Sequence, residues 1–250
     1  MPHQPRELVN GEIYHIVLRR IGEKNLFRNT DDYFRGIFCL YEFNNNNPVE
    51  IKQRRIERAK FKKYVEQLKR TRTAADENLI EKDKRDLLVE ILDFSFMPNH
   101  IHLLLRQLKD RGISKFMLKL GSGYAVYYQR KYKLKMKGHF FQDRFTSVHI
   151  KTEEQLKTVF VYIHTNPISL IEPKWKEKGI KNPEKAIKFL EEKYRWSSFF
   201  DYIGKKNFPS VTSRDFLLEI MGGDDGCRKA VEDWIRYKGE IKKFKDLSLE

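Results

Sequence analysis

The chain has 250 residues, 40% of them hydrophobic and 34% charged. That is enough apolar material for one ordinary core plus a smaller appended region, and it excludes a disordered chain. Lys and Arg number 50 against 35 acids, a formal charge of +15, which points to a polyanionic partner, with nucleic acid first and binding that weakens with salt.

A basic protein with a merely solvated surface remains the plain alternative at this point. Membrane surfaces fit less well, because no stretch of about 18 apolar residues accompanies the charge. The first residues, Met1 to Glu7 (MPHQPRE), contain no apolar signal region. The two cysteines, Cys39 and Cys227, form no CxxC pair, and Cys39 falls in an apolar stretch as a small core residue. A reducing cytoplasm is therefore the expected compartment, in association with the nucleoid.

In chain order, Ile13 to Arg19 (IYHIVLR) follows Gly11 and reads as a strand of β-branched and aromatic residues. Thr30 or Asp31 is placed to cap a helix through about Phe43, with Tyr33, Phe34, Ile37, Phe38 and Tyr41 as its apolar face. Asn44 to Pro48 is a turn. Residues 51–72 form a basic helix whose narrow stripe is Phe61, Val65 and Leu68; Arg54 and Arg55 on it either face solvent or contact DNA backbone. Asp86 to Met97 and His100 to Arg106 read as two strands around a Pro98-Asn99 turn.

Ser114 to about Lys133 is helical. Its tyrosines Tyr124, Tyr127, Tyr128 and Tyr132, beside Arg130, Lys131 and Lys133, either stack DNA bases or form the core stripe of the helix. Phe145 to Ile150 is a short strand, and Thr152 caps a helix from Glu153 to about Thr165 that Pro167 ends. The remainder is more polar and mostly helical. Leaving the basic helix aside, the order strand, helix, strand, strand, helix, strand is that of an α+β, ferredoxin-like split βαβ arrangement with an antiparallel sheet.

His100 and His102 stand one residue apart on a strand, so their imidazoles share a face while Ile101 points to the other. Such a pair grips one divalent ion or is simply polar decoration on a wet sheet face. Tyr162 and Asn166, four apart on a helix, share a face as well. Tyr162 offers a phenol nucleophile and Asn166 an amide oxygen as third metal ligand. The plain alternative is a core aromatic followed by a helix C-cap before Pro167. His164, two positions from Tyr162, points elsewhere and reads as structural.

Four segments in order, Met97 to Leu104 (MPNHIHLL), Gly138 to Phe145 (GHFFQDRF), Tyr162 to Pro167 (YIHTNP) and Trp196 to Ser198 (WSS), resemble the REP-associated tyrosine transposases. These belong to the single-tyrosine HUH transposases of bacterial insertion sequences. The likeness runs from about residue 8 to 200. It implies a ferredoxin-like nuclease of the HUH type acting on single-stranded DNA at hairpins from palindromic repeats. It further implies Mg²⁺ or Mn²⁺ held by His100, His102 and Asn166, Tyr162 as nucleophile, and a monomer or homodimer.

Gln142, Arg144 and Phe145 fall in a family motif without a fixed role; Arg144 is suited to clamp a phosphate or to serve as an ion-pair partner. Relative to compact members, residues 44–85 read as a basic insertion within a catalytic domain spanning 8–170, and 171–250 as a mostly helical extension. A domesticated hairpin-binding protein without turnover is the main rival reading. A zinc hydrolase or RNA nuclease that uses the histidine pair alone is a third, and it would make Tyr162 dispensable.

Overall fold

Alternation along two neighbouring strands decides which way the histidines face. The computed structural model describes residues 7–71, 83, 85–134, 138–142 and 145–247. Strand β1 (Ile13–Arg19) lies antiparallel to β3 (His100–Gln107), pairing Tyr14 with Leu105, Ile16 with Leu103 and Leu18 with Ile101. These six point to one face. Between them, His15 pairs with Leu104, Val17 with His102 and Arg19 with His100 on the other face.

Strand β2 (Val89–Met97) flanks β3, and β4 (Thr146–Ile150) flanks β1, giving an antiparallel sheet in the order β2-β3-β1-β4. That is the ferredoxin-like split βαβ order expected from the sequence. A bulge between Ile91 and Asp93 shifts the β2 register, after which Asp93, Ser95 and Met97 stand opposite Leu104, His102 and His100.

On the first face, α1 (Thr30–Phe43) and α3 (Gly112–Lys131) bury Leu40, Phe43, Phe116, Leu120 and Tyr124 against the strands. The two helices approach closely at Gly123, where a Cβ would collide with the Phe43 ring. Two details differ from expectation. The N-cap of α1 is Asn29, whose side chain accepts from the Asp32 backbone N–H, so the capping oxygen comes one residue earlier than Thr30. The buried face of α1 runs through Gly36, Ile37, Cys39, Leu40 and Phe43, while Phe34 is 44% exposed. Phe34 instead meets Trp196 edge-on at 5.2 Å.

Basic helix α2 (Ile51–Thr71) forms as read from the sequence. The side chains of Val65 and Leu68, two thirds of its expected apolar stripe, lie outside the described residues. Arg54 and Arg58 fasten the helix to Glu42, which is 1% exposed, through contacts of 2.9 and 3.0 Å.

Helix α4 (Glu153–Thr165) is capped by Thr152 and covers the second face of the sheet. Leu156, Phe160 and Ile163 pack there with Leu104, Ile150 and a C-terminal group that includes Trp175, Leu190, Tyr202, Leu217 and Ile235. That group comes from the short helices α5 (Trp175–Lys178), α6 (Pro183–Lys188), α7 (Phe199–Tyr202) and α8 (Asp215–Met221), the helical turn Phe189–Lys193 and the long α9 (Gly223–Leu247). The region after residue 170 thus shares a core with the sheet.

Candidate active site

His100 and His102 project from the start of β3 onto the second face, beneath the C-terminal end of α4. Their Nε2 atoms are 3.0 Å apart. Two nitrogens about 2.1 Å from one ion at a right angle would also be separated by about 3.0 Å, so the pair has the spacing of adjacent ligands. Each remaining ring nitrogen has its own partner. Nδ1 of His100 is 2.6 Å from the Asn99 side-chain oxygen, which only accepts, so that nitrogen carries the proton and Nε2 keeps its lone pair. Nδ1 of His102 is 3.0 Å from Nε2 of His15.

Burial lowers the His100 pKa to about 3, with the Arg19 and Lys176 cations adding to it. His102, 3% exposed, is also held well below the ordinary imidazole value, by burial first and then by the His100 and His15 rings and the Lys176 and Arg19 cations. Both rings are therefore neutral at physiological pH, the form that ligates metal.

Tyr162, on α4, lays its ring edge-on to His102 at 5.6 Å between centroids and remains 37% exposed. Asn166 follows one turn later, 3% exposed, at the junction of α4 and a 3-10 turn (Asn166–Leu170). Its amide nitrogen donates to the Tyr162 carbonyl at 2.9 Å, and its oxygen accepts from Lys176 Nζ at 2.7 Å. The same ammonium sits 4.8 Å from the centre of the Tyr162 ring.

The structure thus brings His100, His102 and the Tyr162 ring together, with Lys176 joining Tyr162 to Asn166 just past the end of α4. Among the described residues no three His, Cys, Asp or Glu side chains form a metal cluster. The donors here are two imidazoles and an amide oxygen, a set that suits Mg²⁺ or Mn²⁺ completed by water and phosphate oxygens. The imidazoles fit such an ion as they stand, whereas the amide oxygen is turned to an ammonium.

The remaining candidates are scattered. Gln142 lies at the edge of the site, its backbone N–H donating to Arg19 at 2.9 Å. Arg144 lies outside the described residues, as does the side chain of Arg55. Arg54 is engaged by Glu42 and Glu57. Arg130 is exposed near the end of α3.

Lys131 is bound to Asp32 at 2.8 Å, and Tyr127 and Tyr132 donate to the same carboxylate at 2.9 and 2.6 Å. Tyr124 and Tyr128 are 1% and 0% exposed. Of the two readings of these tyrosines, burial and internal hydrogen bonding favour the core stripe over base stacking.

His164 fits the structural reading given to it from its offset from Tyr162. It is wholly buried, with Nε2 3.0 Å from Asp93 Oδ1 and 3.1 Å from Ser198 Oγ, while Ser198 donates to the same Asp93 oxygen at 2.7 Å. Despite its residue types this is no hydrolytic triad, since all three side chains are shut away from solvent. It ties α4 to β2 and accounts for the second serine of the Trp-Ser-Ser segment.

Sequence reasoning missed three contributors. His15 carries a local signal, being the imidazole that alternates out of the apolar Tyr14, Ile16 and Leu18 face. Arg19 and Lys176 carry none, because cross-strand register and long-range packing bring them in.

Residues 60–166 match the sequence family described as Transposase IS200 like. No curated protein matches the chain. A solved structure of a REP-associated tyrosine transposase bound to a REP hairpin is similar at 14% identity, covering 86% of this chain and 93% of that one with a TM-score of 0.45. The matched stretch contains His100, His102, Tyr162 and Asn166 together, and over it the chain carries the sequence pattern of the IS200-like transposases, which bears out the resemblance read from its motifs.

Proposed function

We propose that the protein is a metal-dependent, single-tyrosine DNA transposase that cleaves and rejoins single-stranded DNA carrying hairpins. The observation that supports the reading is the close His100–His102 pair with the Tyr162 ring edge-on to His102 at 5.6 Å and Asn166 one turn after Tyr162. Each is a residue type that the chemistry needs, and all four fall within the family match.

Tyr162 Oη attacks the scissile phosphorus in line. The bond from phosphorus to the 3′-oxygen breaks, and that oxygen gains a proton to become a 3′-hydroxyl. The phenol loses its own proton to water, and the 5′-phosphate stays on the tyrosine. A second 3′-hydroxyl then attacks the adduct and releases the phenol, so strands are rejoined with no external energy source. His100, His102 and Asn166 would hold Mg²⁺ or Mn²⁺, which when bound would polarise the phosphate and offset its developing charge. Arg19, opposite His100, adds positive charge where the phosphate must lie. His15 orients the His102 ring, and the net charge of +15 draws the DNA backbone to the surface.

The test is incubation with labelled single-stranded hairpin oligonucleotides and Mg²⁺ or Mn²⁺. The wild type should form an adduct that survives SDS. DNA binding without an adduct across a broad panel would favour the non-catalytic alternative. Metal-dependent cleavage that persists in Tyr162→Phe would favour a hydrolase using the histidines alone.

A further inference from the structure

The Lys176 ammonium stands where the third metal ligand should be free. It donates to Asn166 Oδ1 at 2.7 Å, lies over the Tyr162 ring at 4.8 Å and contributes positive potential to both His100 and His102. Lys176 belongs to α5, a helix too short to hold itself; the neighbouring Trp175, 3% exposed, pins it to the core. The backbone is thus anchored while the lysine stem remains in contact with solvent.

An amide oxygen has two lone pairs, so the ammonium does not block it sterically. The obstacle is charge. A divalent ion bound to that oxygen would stand within about 4 Å of Nζ, a distance at which like charges repel strongly even near a surface.

We infer that Lys176 competes with the divalent metal for Asn166, so that metal binding must displace its ammonium. This rests on the metal-site reading above. The free protein then binds its ion more weakly than its histidine pair and amide would allow, and Lys176 sets that affinity without being a ligand.

The test uses the full-length protein without DNA, with Mn²⁺ alone as the probe and free Mn²⁺ followed by electron paramagnetic resonance. Lys176→Met should bind Mn²⁺ about tenfold more tightly than wild type, a size typical of changes around metal ligands. Lys176→Arg, which keeps a cation, should stay close to wild type. Asn166→Ala should remove most of the gain when combined with Lys176→Met.

Equal or weaker binding by a folded Lys176→Met overturns the inference, as does Mn²⁺ binding to no variant at all. Binding that Lys176 does not affect but His102→Ala abolishes would remove the competition and leave the metal site standing. Because no cleavage is measured, failure of Tyr162 to form an adduct is a separate result.

Discussion

The Tyr162 ring stands edge-on to the His102 imidazole, with centroids 5.6 Å apart and planes at 88°, and meets His15 at 5.8 Å and 79°. Two imidazoles from adjacent strands therefore fix the face of the sheet over which the phenol is held. Removing only the hydroxyl should leave this ring packing intact. Tyr162→Phe is expected to change stability by no more than about 0.5 kcal/mol. It should bind hairpin DNA and Mn²⁺ as wild type does and yield no covalent adduct, as denaturing gels with a labelled oligonucleotide would report.

His15 acts through His102. Its Nε2 lies 3.0 Å from His102 Nδ1, the second-sphere contact that fixes the orientation of a ligating imidazole. His15→Leu should weaken Mn²⁺ binding about tenfold, and His15→Gln, which restores a polar partner, should recover part of the loss. A Mn²⁺ titration checks both. Equal weakening by Leu and Gln would mean that His15 acts by packing alone.

Asp32 joins the first turn of α1 to the end of α3, accepting from Arg28 N, Tyr127, Lys131 and Tyr132. Its burial would raise the carboxyl pKa, but these donors outweigh burial and hold it below the ordinary 3.8. A carboxylate with a depressed folded-state pKa adds stability above its unfolded value and loses it as pH falls through the folded value. Asp32→Asn should therefore cost about 2 kcal/mol at neutral pH, and its deficit relative to wild type should shrink only below about pH 4. Urea denaturation across that range measures it.

The buried group of Asp93, His164 and Ser198 is expected to serve the fold. Ser198→Ala removes the donor to Asp93 at 2.7 Å and the acceptor of Phe94 N–H at 3.1 Å, and should destabilise by about 2 kcal/mol. Adduct formation per folded molecule should be unchanged. A selective loss of adduct without a fall in melting temperature would give this group a direct part in the chemistry.

The parts of the site written in local periodicity were legible beforehand. One-residue spacing on a strand put His100 and His102 on one face, four-residue spacing on a helix did the same for Tyr162 and Asn166, and Thr152 and Pro167 bounded that helix. The ferredoxin-like order followed from the strand and helix patterns. What stayed hidden depends on contacts distant in sequence. Phe34 and Tyr41 look like a core stripe, yet the buried face of α1 runs through smaller residues such as Gly36 and Cys39, while Phe34 packs on Trp196 and Tyr41 lies under the Arg85 guanidinium. Lys131 and Arg54 look like phosphate contacts, but Asp32 and Glu42 lie within reach of them once the chain is folded. Lys176 enters the site only because Trp175 anchors its helix against the sheet.

The most direct measurement is mass spectrometry of the protein–DNA adduct after nuclease and protease digestion, to identify the residue that carries the 5′-phosphate. The expected result is one nucleotide remnant on the peptide containing Tyr162, absent in Tyr162→Phe and in His102→Ala. A remnant on Tyr124, Tyr127, Tyr128 or Tyr132, or cleavage with no covalent remnant, would contradict the assignment of Tyr162 as the nucleophile beside the histidine pair.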